Sequence, residues 1–114
     1  MTQLSARDKV REGLSAALDK KAAAVLVFNL TELTTMADYF VLSTASSDRQ
    51  ARAIADAIVE AVGPAVSVEG LAAANWILMD YGDVVFHIFH DEARRFYGLE
   101  RLWGDAPDAT ASFR

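Results

Sequence analysis

The chain has 114 residues, 53% of them apolar, and a formal net charge of −5 at pH 7, which suits one acidic domain with a single core. The absence of cysteine excludes disulfide bonds and thiolate metal sites, and the acidic balance disfavours direct DNA binding but favours a basic protein partner. No segment is long and apolar enough to span a bilayer or act as a secretory signal, so we expect a cytoplasmic protein with no membrane association.

The first half of the chain predicts one helix and two strands. Residues 5–20 carry apolar side chains at helical spacing, and Ser5 followed by Asp8 is typical of an N-terminal cap. Residues 22–30 form an apolar run interrupted only by Asn29, which indicates a strand covered on both faces. Residues 39–44 are the second predicted strand.

A second helix is predicted from the signals at its two ends. Ser47 is typical of an N-cap residue, and Gln50 three positions later predicts a capping box. Apolar residues recur at helical spacing as far as Val62, and Gly63-Pro64 ends the helix.

The remaining elements are three strands and a helix. Residues 66–69 predict a short edge strand, residues 76–80 and 83–89 a hairpin, and residues 91–102 a last helix. The order α-β-β-α-β-β-β-α indicates an α/β fold, a single-domain sandwich with flanking helices and a mixed sheet of about five strands.

The hairpin turn Asp80-Tyr81-Gly82-Asp83 is the most distinctive feature. A two-residue loop of Tyr81-Gly82 would place Asp80 opposite Asp83, and opposed like charges destabilise a hairpin by roughly 0.2–1 kcal/mol. An internal arginine, a metal ion or a basic partner would relieve this repulsion. The alternative is a polar turn in which water screens the two charges.

Trp76 opens the first hairpin strand and has two interpretations. Alternation places Trp76, Leu78 and Asp80 on one face of the strand, and Ile77 and Met79 on the other. A tryptophan is usually a core residue. Its face nevertheless ends in a carboxylate, and tryptophan and methionine beside an acidic rim are typical of an interface hot spot.

His87 and His90 are the candidates for a metal site. Three positions apart in a strand, they should point to opposite faces, and no third ligand stands at suitable spacing. We therefore expect a structural role for His87, no metal and no cofactor.

Three blocks of sequence carry a family resemblance: residues 37–50 (ADYFVLSTASSDRQ), residues 69–89, which contain WILMDYGDVVFHIF, and residues 94–103 (RRFYGLERLW). With the first helix they span residues 5–105, and they resemble the ribosomal silencing factor family, also called the Iojap-related family. One departure is Ala45-Ser46, in the loop after Ser43-Thr44 where relatives commonly carry a glycine. We expect one domain over residues 1–105 and a flexible tail over residues 106–114.

The resemblance implies a nucleotidyltransferase-like topology without catalysis. It implies a translational repressor that binds the large ribosomal subunit through its protein numbered fourteen, blocks association with the small subunit and acts under nutrient limitation. The residues expected to meet this partner are Trp76, Met79, Asp80, Tyr81 and Asp83, with Arg95 and Tyr97 as weaker candidates.

Three alternatives remain open at this point. One is a metal-dependent nucleotidyltransferase-like enzyme, although the Gly-Ser pair typical of such enzymes is replaced by Ser46-Ser47. Another is a ribosome assembly factor without silencing activity. A homodimer that covers the apolar hairpin is also compatible with the sequence.

Overall fold

The computed structural model describes residues 4–33, 35, 37–90 and 107–113. Its elements within these ranges are α1 (Ala6–Asp19), β1 (Ala23–Asn29), β2 (Tyr39–Ala45), α2 (Asp48–Val62), β3 (Ser67–Glu69), β4 (Trp76–Asp80), β5 (Val84–His90) and a short 3-10 helix (Thr110–Ser112). The helix expected over residues 91–102 lies outside the described residues.

The strands form one five-stranded sheet in the order β1-β2-β5-β4-β3. The central pair, β2 and β5, is parallel, and the pairs β1–β2, β4–β5 and β3–β4 are antiparallel. The sheet is therefore mixed, and the predicted α/β fold with about five strands is confirmed.

Both helices pack on one face of this sheet and bury the main core there. Val10 and Leu14 of α1 and Ile54 and Ile58 of α2 lie in the same cluster as Phe86 of the central strand. Helix α1 approaches the sheet closely at Gly13, where a Cβ atom would overlap the ring of Phe86. A side chain at this point would force the helix away from the core.

The opposite face of the sheet carries a smaller apolar cluster. Its buried members are Phe28, Leu30, Ala37, Phe40, Leu42 and Phe89, and Leu26, Trp76 and Val85 pack against it while partly exposed. The sheet is therefore apolar on both faces, as the apolar run in β1 predicts.

The two predicted N-caps are confirmed, but Gln50 does not complete a capping box. The hydroxyls of Ser5 and Ser47 accept from the amides three residues later. The Gln50 side chain instead accepts from the Ser46 amide at 2.7 Å and donates to the carbonyls of Lys20 and Lys21, both at 3.0 Å. Those carbonyls follow the end of α1 and need donors, so Gln50 joins the end of one helix to the start of the next.

Residues 107–113 pack on β1 where a flexible tail was expected. The Pro107 carbonyl accepts from the Asn29 amide at 3.0 Å, and the Ala109 amide donates to the Val27 carbonyl at 2.8 Å. The hydroxyl of Thr110 accepts from the Val27 amide at 2.9 Å, and the ring of Phe113 is buried. We call residues 107–113 the C-terminal strap, because they cover the outer edge of β1.

Candidate functional site

Strand β4 lies inside the sheet, between β5 and β3, and is regular. Its pairing with β5 runs without a bulge from Trp76 opposite Phe89 to Asp80 opposite Val85. Trp76, Leu78 and Asp80 therefore point away from the two helices, and Ile77 and Met79 point toward them. The two faces that the sequence predicts for this strand are confirmed.

The Trp76 indole is anchored on its strand neighbours. Its ring stacks on Phe89 with 5.2 Å between the centroids, and its Nε1–H donates to Nδ1 of His87 at 3.1 Å. The residue stays partly exposed. The ring thus combines a fixed inner edge with a partly exposed surface. Its contact with a partner stays a prediction.

Leu78 and Asp80 continue this surface to the edge of the sheet. Both are partly exposed, and they stand opposite the exposed residues Glu69 and Ser67 of β3. Opposed residues in an antiparallel pair share a face, so the two carboxylates flank the apolar side chains. We call Trp76, Leu78, Asp80, Ser67 and Glu69 the outer β4 face.

Sequence reasoning left Leu78 and Glu69 out of the candidate site. Alternation already placed Leu78 beside Trp76, and the predicted edge strand contained Glu69. The missing information was the register between β3 and β4, which brings the two residues together.

The hairpin turn differs from the predicted two-residue loop. Asp80 pairs with Val85, and the Tyr81 amide donates to the Val84 carbonyl at 2.9 Å, so Asp83 lies inside a longer loop. Oδ1 of Asp80 accepts from the Gly82 amide at 2.7 Å. Oδ1 of Asp83 accepts from Nζ of Lys9 in α1 at 2.8 Å. The two carboxylates therefore do not oppose each other, and the cation beside Asp83 is an internal lysine.

Met79 and Tyr81 are not placed to meet a partner. Met79 is 0% exposed and lies in the main core. The Tyr81 ring packs edge-on against Phe86, and its hydroxyl donates to the Gly63 carbonyl at 2.7 Å. Burial raises the pKa of Tyr81. Neither side chain offers much surface to a partner: Met79 fills the main core, and Tyr81 holds the hairpin against the end of α2.

Arg95 and Tyr97, the two weaker candidates, lie outside the described residues. Of the predicted site, Trp76 and Asp80 share the outer β4 face, and Asp83 is partly exposed beside Lys9.

The loop before β4 is held so that Trp76 begins the strand at a fixed point. Arg52 of α2 donates to the carbonyls of Leu71 at 2.9 Å and Ala72 at 2.7 Å. Gly70 has a φ of +87°, and a Cβ atom there would collide with the Trp76 carbonyl oxygen. Only glycine suits both conditions, which gives the Glu69-Gly70 pair of the family resemblance a physical basis.

His87 is buried beside Trp76 among aromatic rings. Phe40 packs edge-on against it at 4.7 Å, and Phe89 stacks at 6.0 Å. Burial lowers the pKa of His87 to about 4, so the imidazole is neutral at pH 7. Because Nδ1 accepts from Trp76, its proton resides on Nε2. This geometry agrees with the structural role expected for His87.

Within the described ranges, no three His, Asp or Glu side chains gather closely enough to hold a metal ion. Over the same residues, no helix has the length and apolar character needed to cross a membrane.

A family model described as ribosomal silencing factor during starvation matches residues 3–113. The chain belongs to the ribosomal silencing factor family. The match extends through the C-terminal strap, which the expected boundary at residue 105 had left out of the domain.

Named relatives and solved structures agree with this assignment. A ribosomal silencing factor of Bacillus subtilis is 40% identical over 99 residues, covering 83% of this chain and 84% of the relative. One of Halalkalibacterium halodurans is 37% identical, covering 91% and 92%. A crystal structure of a Chromobacterium violaceum protein superposes with a TM-score of 0.85 at 27% identity, covering 89% of this chain and 88% of that one.

A more distant relative carries a different description. The mouse protein named mitochondrial assembly of ribosomal large subunit protein 1 is 34% identical over 73 residues, which cover 58% of this chain and 32% of the mouse protein.

Proposed function

We propose that this member of the family binds the large ribosomal subunit through its protein numbered fourteen, in the cytoplasm, and blocks association with the small subunit. Translation is thereby repressed when nutrients are short. The family supports the ribosomal role. The outer β4 face, an apolar surface with acidic borders, is the observation that carries the choice of binding site.

The composition of the outer β4 face suits a basic protein partner. Trp76 and Leu78 provide a compact apolar centre. Asp80 follows Leu78 on the same face of β4, and Glu69 stands opposite Leu78 on β3. Tryptophan is enriched at the centres of interfaces, where it contributes much of the binding energy. The carboxylates would meet lysine or arginine side chains of a ribosomal protein, and the acidic net charge would speed the encounter.

The mechanism requires occupancy alone, without a chemical step. A specific interface buries about 1,600 Å² in total, which a domain of this size can provide from one face. If the small subunit needs the same surface of the large subunit, the two binding events exclude each other. The protein then represses translation in proportion to its occupancy of free large subunits.

The first test is the affinity of Trp76→Ala for purified large subunits. Loss of the indole should weaken binding by at least about 1 kcal/mol, roughly fivefold in the dissociation constant, because the exposed part of the ring is the expected centre of the contact. Co-sedimentation over a range of protein concentrations measures this change.

Val59→Ala is the matched control. Val59 is an apolar residue on α2 that is 38% exposed, and α2 packs on the opposite side of the sheet. This variant should bind as the wild type does. Equal binding by Trp76→Ala and the wild type would remove the outer β4 face from the proposal.

A second candidate function is ribosome assembly without silencing, which the name of the mouse relative favours. Such a factor would bind precursors of the large subunit. Cells depleted of the protein would then accumulate large-subunit precursors, and adding it to mature subunits would leave their joining unchanged.

A further inference from the structure

His87 is buried at a position where an apolar side chain would itself have no polar atom left without a hydrogen bond. The side chain is buried on the sheet face that holds Phe40 and Phe89, and its Nε2 atom has no hydrogen-bond partner among the described residues. A buried unpaired N–H is unfavourable, because in the unfolded chain water satisfies it. Packing alone therefore does not account for an imidazole here.

The imidazole provides a hydrogen-bond acceptor, Nδ1, for the indole of Trp76. The indole N–H can only donate, and Nδ1 of His87 receives it at 3.1 Å across the β4–β5 pair. The rings are inclined by 32° with 5.9 Å between their centroids. Because His87 is itself clamped by Phe40 and Phe89, its acceptor has a fixed position.

We propose that His87 is a positioning residue for partner binding, which holds the Trp76 indole in its binding orientation before the partner arrives. The inference rests on the proposed function of Trp76. A large side chain that is ordered in advance loses less conformational entropy on binding, so its contact yields more affinity. His87 would thus act on the partner through Trp76, without touching the partner itself.

Two variants of His87 separate its hydrogen bond from its bulk. His87→Leu keeps an apolar side chain but removes the acceptor. His87→Asn retains an oxygen that can stand near the position of Nδ1, since both atoms are bonded to Cγ. We expect His87→Leu to raise the dissociation constant for large subunits about threefold to tenfold, the range of one net hydrogen bond, and His87→Asn to recover most of the loss.

The free protein provides a readout that does not depend on the ribosome. The indole N–H resonance of Trp76, assigned by its loss in Trp76→Phe, should move to the position of a solvent-exposed indole in His87→Leu and should stay near its original position in His87→Asn. Thermal melts of each variant establish that the protein used is folded.

A double-mutant cycle distinguishes positioning from general destabilisation. Trp76→Phe lacks the donor, so adding His87→Leu to it should change the affinity no further. Additive losses, or wild-type binding by His87→Leu while Trp76→Ala binds weakly, would overturn the positioning role alone. Wild-type binding by Trp76→Ala would overturn both this role and the proposed binding face.

Because Trp76→Phe removes the same hydrogen bond from its other side, the test does not depend on the folding of the His87 variants. Trp76→Phe should weaken binding by a similar factor, and an unchanged affinity in this variant would contradict the proposal.

Discussion

The buried imidazole of His87 links the stability of the fold to pH. The folded pKa is about 4, below the ordinary value of 6.5, because burial disfavours the charged form. Between these two values the unfolded chain binds more protons than the folded one. The stabilisation is therefore complete above about pH 6.5 and is lost as the pH falls toward 4.

Urea denaturation at pH 7.5 and pH 5 measures this linkage. The wild type should lose free energy of unfolding on acidification, and the share due to His87 follows by comparison with His87→Leu. Between pH 7.5 and pH 5 that share is on the order of 2 kcal/mol. Equal pH dependence in the two proteins would show that His87 titrates alike in the folded and unfolded states.

Single residues also show where sequence reasoning succeeded and failed. Alternation correctly placed Trp76 and Met79 on opposite faces of one strand. The same alternation argued against a shared partner surface for these two residues, yet the family resemblance grouped them. Burial agrees with the alternation, because Met79 faces the helices from an interior strand and has no exposed surface.

The link between α1 and α2 depends on the Gln50 amide. Gln50→Glu would keep the acceptor for Ser46 but replace the donor to Lys20 and Lys21 with a charged oxygen facing two carbonyl oxygens. We expect a loss of about 1–2 kcal/mol in the free energy of unfolding. Chemical denaturation measures it, with Arg49→Gln as a control at the exposed neighbouring position. Unchanged stability would mean that these hydrogen bonds contribute little.

The C-terminal strap should also contribute to the stability of the fold. Phe113 packs edge-on against Tyr39 at 5.5 Å, and the Arg7 guanidinium lies 4.7 Å from the centre of its ring. Phe113→Ala should lower the free energy of unfolding by about 3 kcal/mol, because it empties a buried aromatic site.

Ser112→Ala is the control for the strap, since Ser112 is exposed and adjacent. Thermal or urea denaturation of both variants distinguishes a packed strap from a loose one. Similar stability of Phe113→Ala and the wild type would support the flexible tail that the sequence suggested.

The limits of sequence reasoning at the element scale have physical causes. Strong periodicity and capping residues located both helices and placed β4 at residues 76–80. The hairpin register depended on contacts between distant segments, such as the Asp83 carbonyl that accepts from the Asp38 amide at 2.7 Å. The strap has no periodic pattern, and its attachment depends on the backbone edge of β1 and on Thr110 and Phe113.

In the whole molecule, the two faces of the sheet have different roles. The helices cover one face and create the main core, and this packing supports β4, whose other face is the proposed binding surface. Only part of the candidate site could be predicted from the sequence. Its acidic and apolar residues come from β3 and β4, and no local sequence pattern specifies how these two strands are aligned.

The central claim is that occupancy of the large subunit prevents joining, and a gradient profile of purified subunits tests it most directly. Equimolar large and small subunits are mixed with increasing amounts of wild-type protein, Trp76→Ala or Val59→Ala under conditions that favour joining. We predict that the wild type and Val59→Ala shift joined ribosomes to free subunits and co-migrate with the large one, and that Trp76→Ala needs several-fold higher concentrations. Undiminished joining at saturating wild-type protein would contradict the claim.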